Sequence, residues 1–246
     1  MEFYDYHVNS NPLIDFLTIS PLNEKSILVS FGNRIDILVN RKVIALHRKL
    51  VQKSFEGFIE SVPSYSSLAV FYDYLKIKSM IRESQTPFDF IKEFLQKMTE
   101  QILDEVEEAK TTVQLPVLYD GDDLDFVAQQ HQLSQDELIS IHAGKEYRVF
   151  MIGFLPGFPY MGSVDDRIAT PRKSSPRTLV PAGSVGIAGI QTGIYPQSSP
   201  GGWQLIGRTP IKIFDRNRES PCLLQPGDVV KFYSISKKEF DKLNEY

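Results

Sequence analysis

Residues 150–162 read FMIGFLPGFPYMG, with three glycines, two prolines, four aromatics and no charged side chain in thirteen positions. A transmembrane helix needs roughly 20 apolar residues, and a buried central strand does not tolerate two prolines. The run therefore reads as a strand, YRVFMIG from residue 147, that enters a rigid Gly/Pro loop. The same texture continues downstream. TLVPAGSVGIAG (178–189), IKIFD (211–215) and DVVKFYSI (228–235) are strand-like and cut by glycine and proline, and Pro226, Gly227 and Asp228 make a turn before the last of them. Regular turn punctuation with little helical periodicity predicts an all-β barrel or sandwich for 147–246.

Upstream the pattern changes. SILVSFG (26–32) and SLAVFYDYL (67–75) read as strands. Between them, 35–52 places Ile37, Val39, Val43, Leu46 and Leu50 at helical spacing, with Arg41, Lys42, Arg48 and Lys49 expected to face outward. A second helix opens at Thr86 and Pro87 and runs to about Glu108. Its charged end, DEVEEAK (104–110), marks a boundary before the strand pattern TTVQLPVLYD. Two short helices follow, DDLDFVAQQH and SQDELISIHAG, the second with Ser134 and Glu137 spaced as a capping box. The expected fold class is α+β: a small α/β sandwich over 1–110, then a β-barrel unit over 111–246.

Composition limits the partners. With 27 Lys+Arg against 31 Asp+Glu the formal net charge is −4, which argues against nucleic acid. One cysteine, Cys222, excludes an internal disulfide, and MEFYDYHVNS has no apolar run of a signal peptide, so a cytoplasmic protein is expected, without a membrane partner. No P-loop, GxGxxG, HExxH or GxSxG pattern is present, and the four histidines are dispersed, so no metal site is expected.

Three elements of the second half concentrate hydrogen-bonding and cationic side chains beside glycine and proline. They are the opening segment with Tyr160; PRKSSPRTLVPAGS with Arg172, Lys173, Arg177, Gly183 and Ser184; and QTGIYPQSSPGGWQLIGR with Gln191, Tyr195, Gly201, Gly202, Trp203 and Arg208. Glycine lets a ligand approach backbone N–H groups, proline removes loop entropy, and arginine grips a carboxylate or phosphate. A pocket for a small polar or anionic ligand is one reading. The other is that glycine and proline shape barrel corners while Phe154, Phe158, Tyr160 and Trp203 fill the core. His142, five residues before the strand at Tyr147, is open to a structural or a catalytic reading.

GFLPGFPYMG, IATPRKSSPRTLVPAGSVGIAGIQTGIYPQSSPGGWQLIGRTP and PGDVVKF together resemble the signature of the family that holds allophanate hydrolase subunit 1, the 5-oxoprolinase B subunit (PxpB) and the sporulation-kinase inhibitor KipI. A looser match upstream extends the resemblance over nearly the whole chain. It implies a cyclophilin-like β-barrel behind a small α/β domain. It also implies two partners in 5-oxoprolinase: a homologous C subunit, like allophanate hydrolase subunit 2, and a third chain, the A subunit. The whole complex would use ATP to cleave 5-oxo-L-proline to L-glutamate. On that basis Arg172, Arg177 or Arg208 would hold the substrate carboxylate or an added phosphate, His142 would transfer protons, and N–H groups near Gly183 and Gly201 would stabilise an oxyanion. The family also allows a KipI-like inhibitor of a sensor histidine kinase, with the basic face of 41–49 as its patch, or a component of an allophanate hydrolase or urea carboxylase system. A fused urea-degrading enzyme is not expected, because KLNEY follows directly on the barrel.

Overall fold

The computed structural model describes residues 17–102 and 112–244. The chain divides into two compact units, Met1–Glu107 and Glu108–Tyr246. The boundary expected at 104–110, and the helix end at Glu108, lie outside the described residues.

The first unit runs β1 (Thr18–Asn23), β2 (Ser26–Ser30), α1 (Ile37–Gln52), β3 (Phe58–Pro63), β4 (Ser67–Tyr72), α2 (Tyr74–Met80) and α3 (Pro87–Ile102). Its sheet has the order β1-β2-β4-β3 and is antiparallel throughout. Along β4, Leu68, Val70 and Tyr72 are buried between half-buried neighbours, the period of two that gives a sheet one apolar face. Together with Val39, Val43, Leu46 and Leu50 of α1 and Ile91 and Leu95 of α3, they form the core. Asp36 caps α1 by accepting from Val39 N at 2.9 Å, and Thr86 Oγ1 accepts from Asp89 N at 3.1 Å to start α3.

Two details differ from expectation. Lys42 is only 7 % exposed, since it lies three residues from Val39 and four from Leu46 and shares their inward face, whereas Ile37 is half-exposed at the helix start. The strand expected over 67–75 stops at Tyr72, because Asp73 Oδ1 accepts from Lys76 N at 3.1 Å and begins α2 instead.

The second unit runs β5 (Thr112–Val117), α4 (Leu124–Gln130), α5 (Gln135–Gly144), β6 (Glu146–Ile152), β7 (Pro159–Gly162), β8 (Arg177–Val180), β9 (Ser184–Ala188), β10 (Gln191–Ile194), β11 (Ser199–Gly201), β12 (Gln204–Arg208), β13 (Val229–Ser234) and α6 (Lys237–Asn244). Seven strands form one sheet in the order β12-β9-β10-β7-β6-β13-β5, and β8 pairs with β11 in a separate ribbon. The β13–β5 pair is parallel and the other pairs of this sheet are antiparallel.

The sheet curls until its two edges touch. Leu118, just after β5, and Arg208, at the end of β12, exchange two backbone hydrogen bonds of 2.9 Å. Inside the curl, Tyr147, Val149, Met161, Ile187, Ile206, Val230 and Phe232 are fully buried or nearly so. Each such side chain contributes about 1.5–3 kcal/mol. The turn before β13 has Pro226 and then Gly227 at φ 100°, with Asp228 N donating to Gln225 O, as a type II turn requires. IKIFD is not a strand. Its one ladder contact is the Phe214–Cys222 bridge, made by Asp215 N to Pro221 O and Leu223 N to Ile213 O, and beside it Arg218 Nη2 takes the carbonyl of Lys212. No helix among the described residues is long and apolar enough to cross a membrane.

Candidate functional site

The loop 171–176, which carries PRKSSP, is held from three sides. Lys173 N donates to Gly202 O at 2.7 Å, Gln204 Nε2 donates to Pro171 O at 2.9 Å, and Lys173 Nζ reaches Asp123 Oδ1 at 2.9 Å. Asp123 is the hub. It sits at the N-cap of α4 yet makes no side-chain cap there, and it is 4 % exposed. Its Oδ2 accepts from Arg177 Nη2 at 2.6 Å and Leu205 N at 2.7 Å. Burial raises its pKa, but the bonds from Lys173, Leu205 and Arg177 outweigh this and hold the carboxyl below its usual range. Arg177 and Lys173 are thus engaged within the chain, and Arg177 is a clamp on Asp123 rather than an open grip for a ligand.

Arg172 is arranged differently. It is exposed, and its guanidinium lies over the Trp203 ring at 5.8 Å. Phe158 backs Trp203 edge-on at 5.3 Å, and Tyr160 flanks it at 5.9 Å. A cavity of about 400 Å³ opens beside Arg172, lined also by Lys173, Ser174, Ser175, Gln204 and Phe126. Gln204 is 4 % exposed, and while its Nε2 is tied to Pro171 O, its Oε1 has no hydrogen-bond partner. An unmet buried acceptor costs about 1–3 kcal/mol, so this one stands out.

Arg208 and Ser184 line a second cavity of about 430 Å³, with Asp120, Asp122, Thr209 and Phe240. Arg208 is bidentate on Asp120, with Nη2–Oδ2 at 2.6 Å and Nε–Oδ1 at 3.1 Å, and it stacks on Phe240 at 4.7 Å. Both side chains of that pair are about two-fifths exposed, so it is worth about 0–1 kcal/mol and serves orientation more than stability. Gly183 takes φ 83°, and a Cβ there would meet Thr209 O at 2.6 Å, so this is a corner only glycine fits. Its N–H donates to Tyr195 O at 2.7 Å, which leaves no free donor for an oxyanion.

The remaining expected site residues lie in walls. Tyr195 is buried, its hydroxyl packed against Gly201 and accepting from Trp203 N; Phe158 meets its ring edge-on at 5.1 Å. Gly202 lends its carbonyl to Lys173. Gln191 starts β10 opposite Gly162 and Ala188. Of the four aromatics offered as lining or core, Phe158 and Trp203 are core and Tyr160 is half-buried, but Phe154 is 63 % exposed at φ 66°.

His142 is wholly buried and lines neither cavity. Thr192 Oγ1 donates to Gly186 O, so it accepts from His142 Nε2 at 3.0 Å, and Nδ1 accepts from Tyr119 Oη at 2.8 Å. The ring stacks on Phe232 at 4.9 Å, and desolvation brings its pKa down to about 3. A neutral imidazole with both nitrogens engaged has no proton site to offer a substrate. This environment therefore favours the structural reading over proton transfer.

The structure thus gathers Arg172 and Tyr160 around Trp203 near one cavity, puts Arg208 and Ser184 at another, and separates His142 from both. Asp123 and Gln204 were missed by sequence reasoning. GDDLDF reads as a helix start and Gln204 as a strand residue, and no local signal tells either apart from those roles. Among the described residues no group of three His, Cys, Asp or Glu side chains could hold a metal ion.

A family model described as carboxyltransferase domain, subdomain C and D, matches residues 17–224. The 5-oxoprolinase B subunit of Bacillus subtilis is 44 % identical over 231 residues, covering 92 % of this chain and 96 % of that protein. The protein of the same name from Haemophilus influenzae is 40 % identical, covering 88 % and 97 %. Urea amidolyase of Lachancea kluyveri is more distant, 27 % identical over 93 % of this chain but 14 % of that protein. Among solved structures, TTHA0988 matches with TM-score 0.75 and 35 % identity over 86 % of this chain, which spans 40 % of that one. The conserved uncharacterized protein PH0987 from Pyrococcus horikoshii is 43 % identical, with TM-score 0.52, over 91 % of this chain and all of its own.

Proposed function

Because the chain belongs to the carboxyltransferase domain family, subdomain C and D, we propose that it is the B subunit of a cytoplasmic, heteromeric 5-oxoprolinase. The reaction is hydrolysis of the lactam C–N bond of 5-oxo-L-proline to L-glutamate, coupled to ATP. The observation that carries this reading is the 44 % identity to a 5-oxoprolinase B subunit over nearly the full length of both chains. Urea amidolyase, at 27 %, supports the family more than the substrate. The two compact units correspond in this reading to a small α/β domain and a cyclophilin-like barrel, and the partners are the homologous C subunit and the A subunit of the same enzyme.

ATP does not fit either of these two cavities. A triphosphate needs several unpaired cations or a cradle of free N–H groups. Here Lys173 and Arg177 are spent on Asp123, Arg208 on Asp120, and the Gly183 N–H on Tyr195. ATP is therefore assigned to the complex and not to these cavities. The role left for this chain is to hold the lactam near Arg172. The test is to combine the protein with its two candidate partner chains, ATP and 5-oxo-L-proline, and to measure glutamate. Release that requires all three chains is the expected result, and no release from an assembled complex overturns the reading.

A further inference from the structure

We propose that the cavity of about 430 Å³ beside α6 binds a small organic ammonium ion, held by the Asp122 carboxylate and the Ser184 hydroxyl. The inference stands apart from the reaction proposed above, which places its lactam near Arg172. It begins with Ser184, which is 5 % exposed at the start of β9. Its backbone is spent, since Ser184 N donates to Pro181 O at 3.3 Å and Ser184 O accepts from Tyr195 N at 2.9 Å. Its Oγ makes no hydrogen bond among the described residues and, unlike the sealed Gln204 Oε1, keeps open surface. The pleat sets its direction. Val185 and Ile187 fill the barrel core, so Ser184 projects from the opposite face of β9, and its cross-strand partner Arg208 projects beside it. Both line the cavity. A hydroxyl so deeply buried, with no protein partner, is left to whatever fills that space.

Charge names the ligand. The ionised side chains that line the cavity are Asp120, Asp122 and Arg208. Arg208 cancels Asp120 through their bidentate pair, whereas Asp122 is exposed and has no ion-pair partner among the described residues. Lys173 and Arg177 exceed Asp123 by one charge, but neither lines this cavity. The wall thus carries one net negative charge, and Leu205 and Phe240 supply its apolar part. An ammonium group meets Asp122 in a charge-assisted bond, its carbon body lies on Leu205, and a hydroxyl on that body pairs with Ser184. A carboxylate of the same size is repelled by Asp122.

The experiment titrates the full chain by calorimetry with fragments of similar size: ethanolammonium, propylammonium, which lacks the hydroxyl, and propionate, which reverses the charge. Saturable binding of ethanolammonium is expected, at least about tenfold tighter than propionate and at least about threefold tighter than propylammonium. In Asp122→Asn, a change at an exposed position that keeps the fold, ethanolammonium weakens at least about tenfold and its advantage over propionate is lost. In Ser184→Ala, ethanolammonium and propylammonium bind within about twofold of each other. A folded wild-type chain that shows no saturable binding of ethanolammonium up to about 10 mM overturns the proposal. So does an Asp122→Asn chain that binds it as tightly as the wild type, whether or not Ser184→Ala folds. A Ser184→Ala chain that keeps the full preference for the hydroxyl overturns it as well. Glutamate release by the assembled complex is a separate readout, so failure here leaves the function reading standing.

Discussion

Asp123 and His142 are both buried titratable side chains, and their environments drive them to opposite uses. Asp123 stays charged because two cations and one amide surround it; removing it leaves Arg177 and Lys173 unpaired. Asp123→Ala should cost about 3–5 kcal/mol in urea unfolding at pH 7. The acid profile separates the two residues. His142 has a folded pKa of about 3 against roughly 6.5 unfolded, so the unfolded chain binds the proton first. Its contribution is complete above pH ~6.5 and is lost at about 1.4 kcal/mol per pH unit as pH falls towards 3. Asp123, with its folded pKa depressed, contributes fully above its unfolded value near ~3.9 and loses this only below it. His142→Gln should therefore flatten the stability profile between pH 6.5 and 4, and Asp123→Asn should not. Because His47 is also held below its usual range by burial and adds to the fall, the reading is refuted by a His142→Gln profile that falls as steeply as the wild type in that window. The arginines and His142 were legible in the sequence as chemistry, but their partners were not. Asp123 lies 54 positions from Arg177, and Thr192 lies 50 from His142.

The best-read elements carry their signals within a few residues. The capping box of α5 forms as spaced, with Ser134 Oγ accepting from Glu137 N and Ser134 N donating to Glu137 Oε2. Short strands carry no such signal: β7, β10 and β11 are three or four residues long and rich in glycine and proline, and only their neighbours define them. IKIFD shows the converse, a β-like composition without a ladder to join. Closure of the curled sheet uses glycine on both sides, Gly121 packed on the β12 backbone and Gly207 against Leu118. A Cβ on Gly207 would meet Leu118 O at 2.6 Å, at a bulge in the β12–β9 register. Gly207→Ala should destabilise by about 1–3 kcal/mol. It should also speed amide exchange at Leu118 and Arg208 before exchange elsewhere in the sheet, and uniform protection across the sheet would count against this.

At the scale of the molecule, long ordered motifs pointed to the family, and the matched region 17–224 includes nearly all of them. The substrate contacts were less legible, because a cavity is a property of the folded surface and not of any one motif. Each compact unit has its own core, and the two cores share no residue. Leu46→Ala and Ile187→Ala should each cost about 2–5 kcal/mol, and the double variant should equal their sum within about 0.5 kcal/mol. Denaturant titrations of the three variants check this, and a larger deviation would show that the units are coupled.

The parallel pairing of β5 with β13 also has a meaning in time. β5 is the first strand of its sheet to leave the ribosome, yet its ladder partner, Val229–Ser234, is the last strand of that sheet to be made. A ladder joining residues so far apart must wait for loop closure across nearly the whole unit. Nascent chains ending before Val229 should leave β5 open to protease, and those long enough to expose Ser234 should protect it. The second unit is thus finished by its final strand, and its folding is timed by the synthesis of β13.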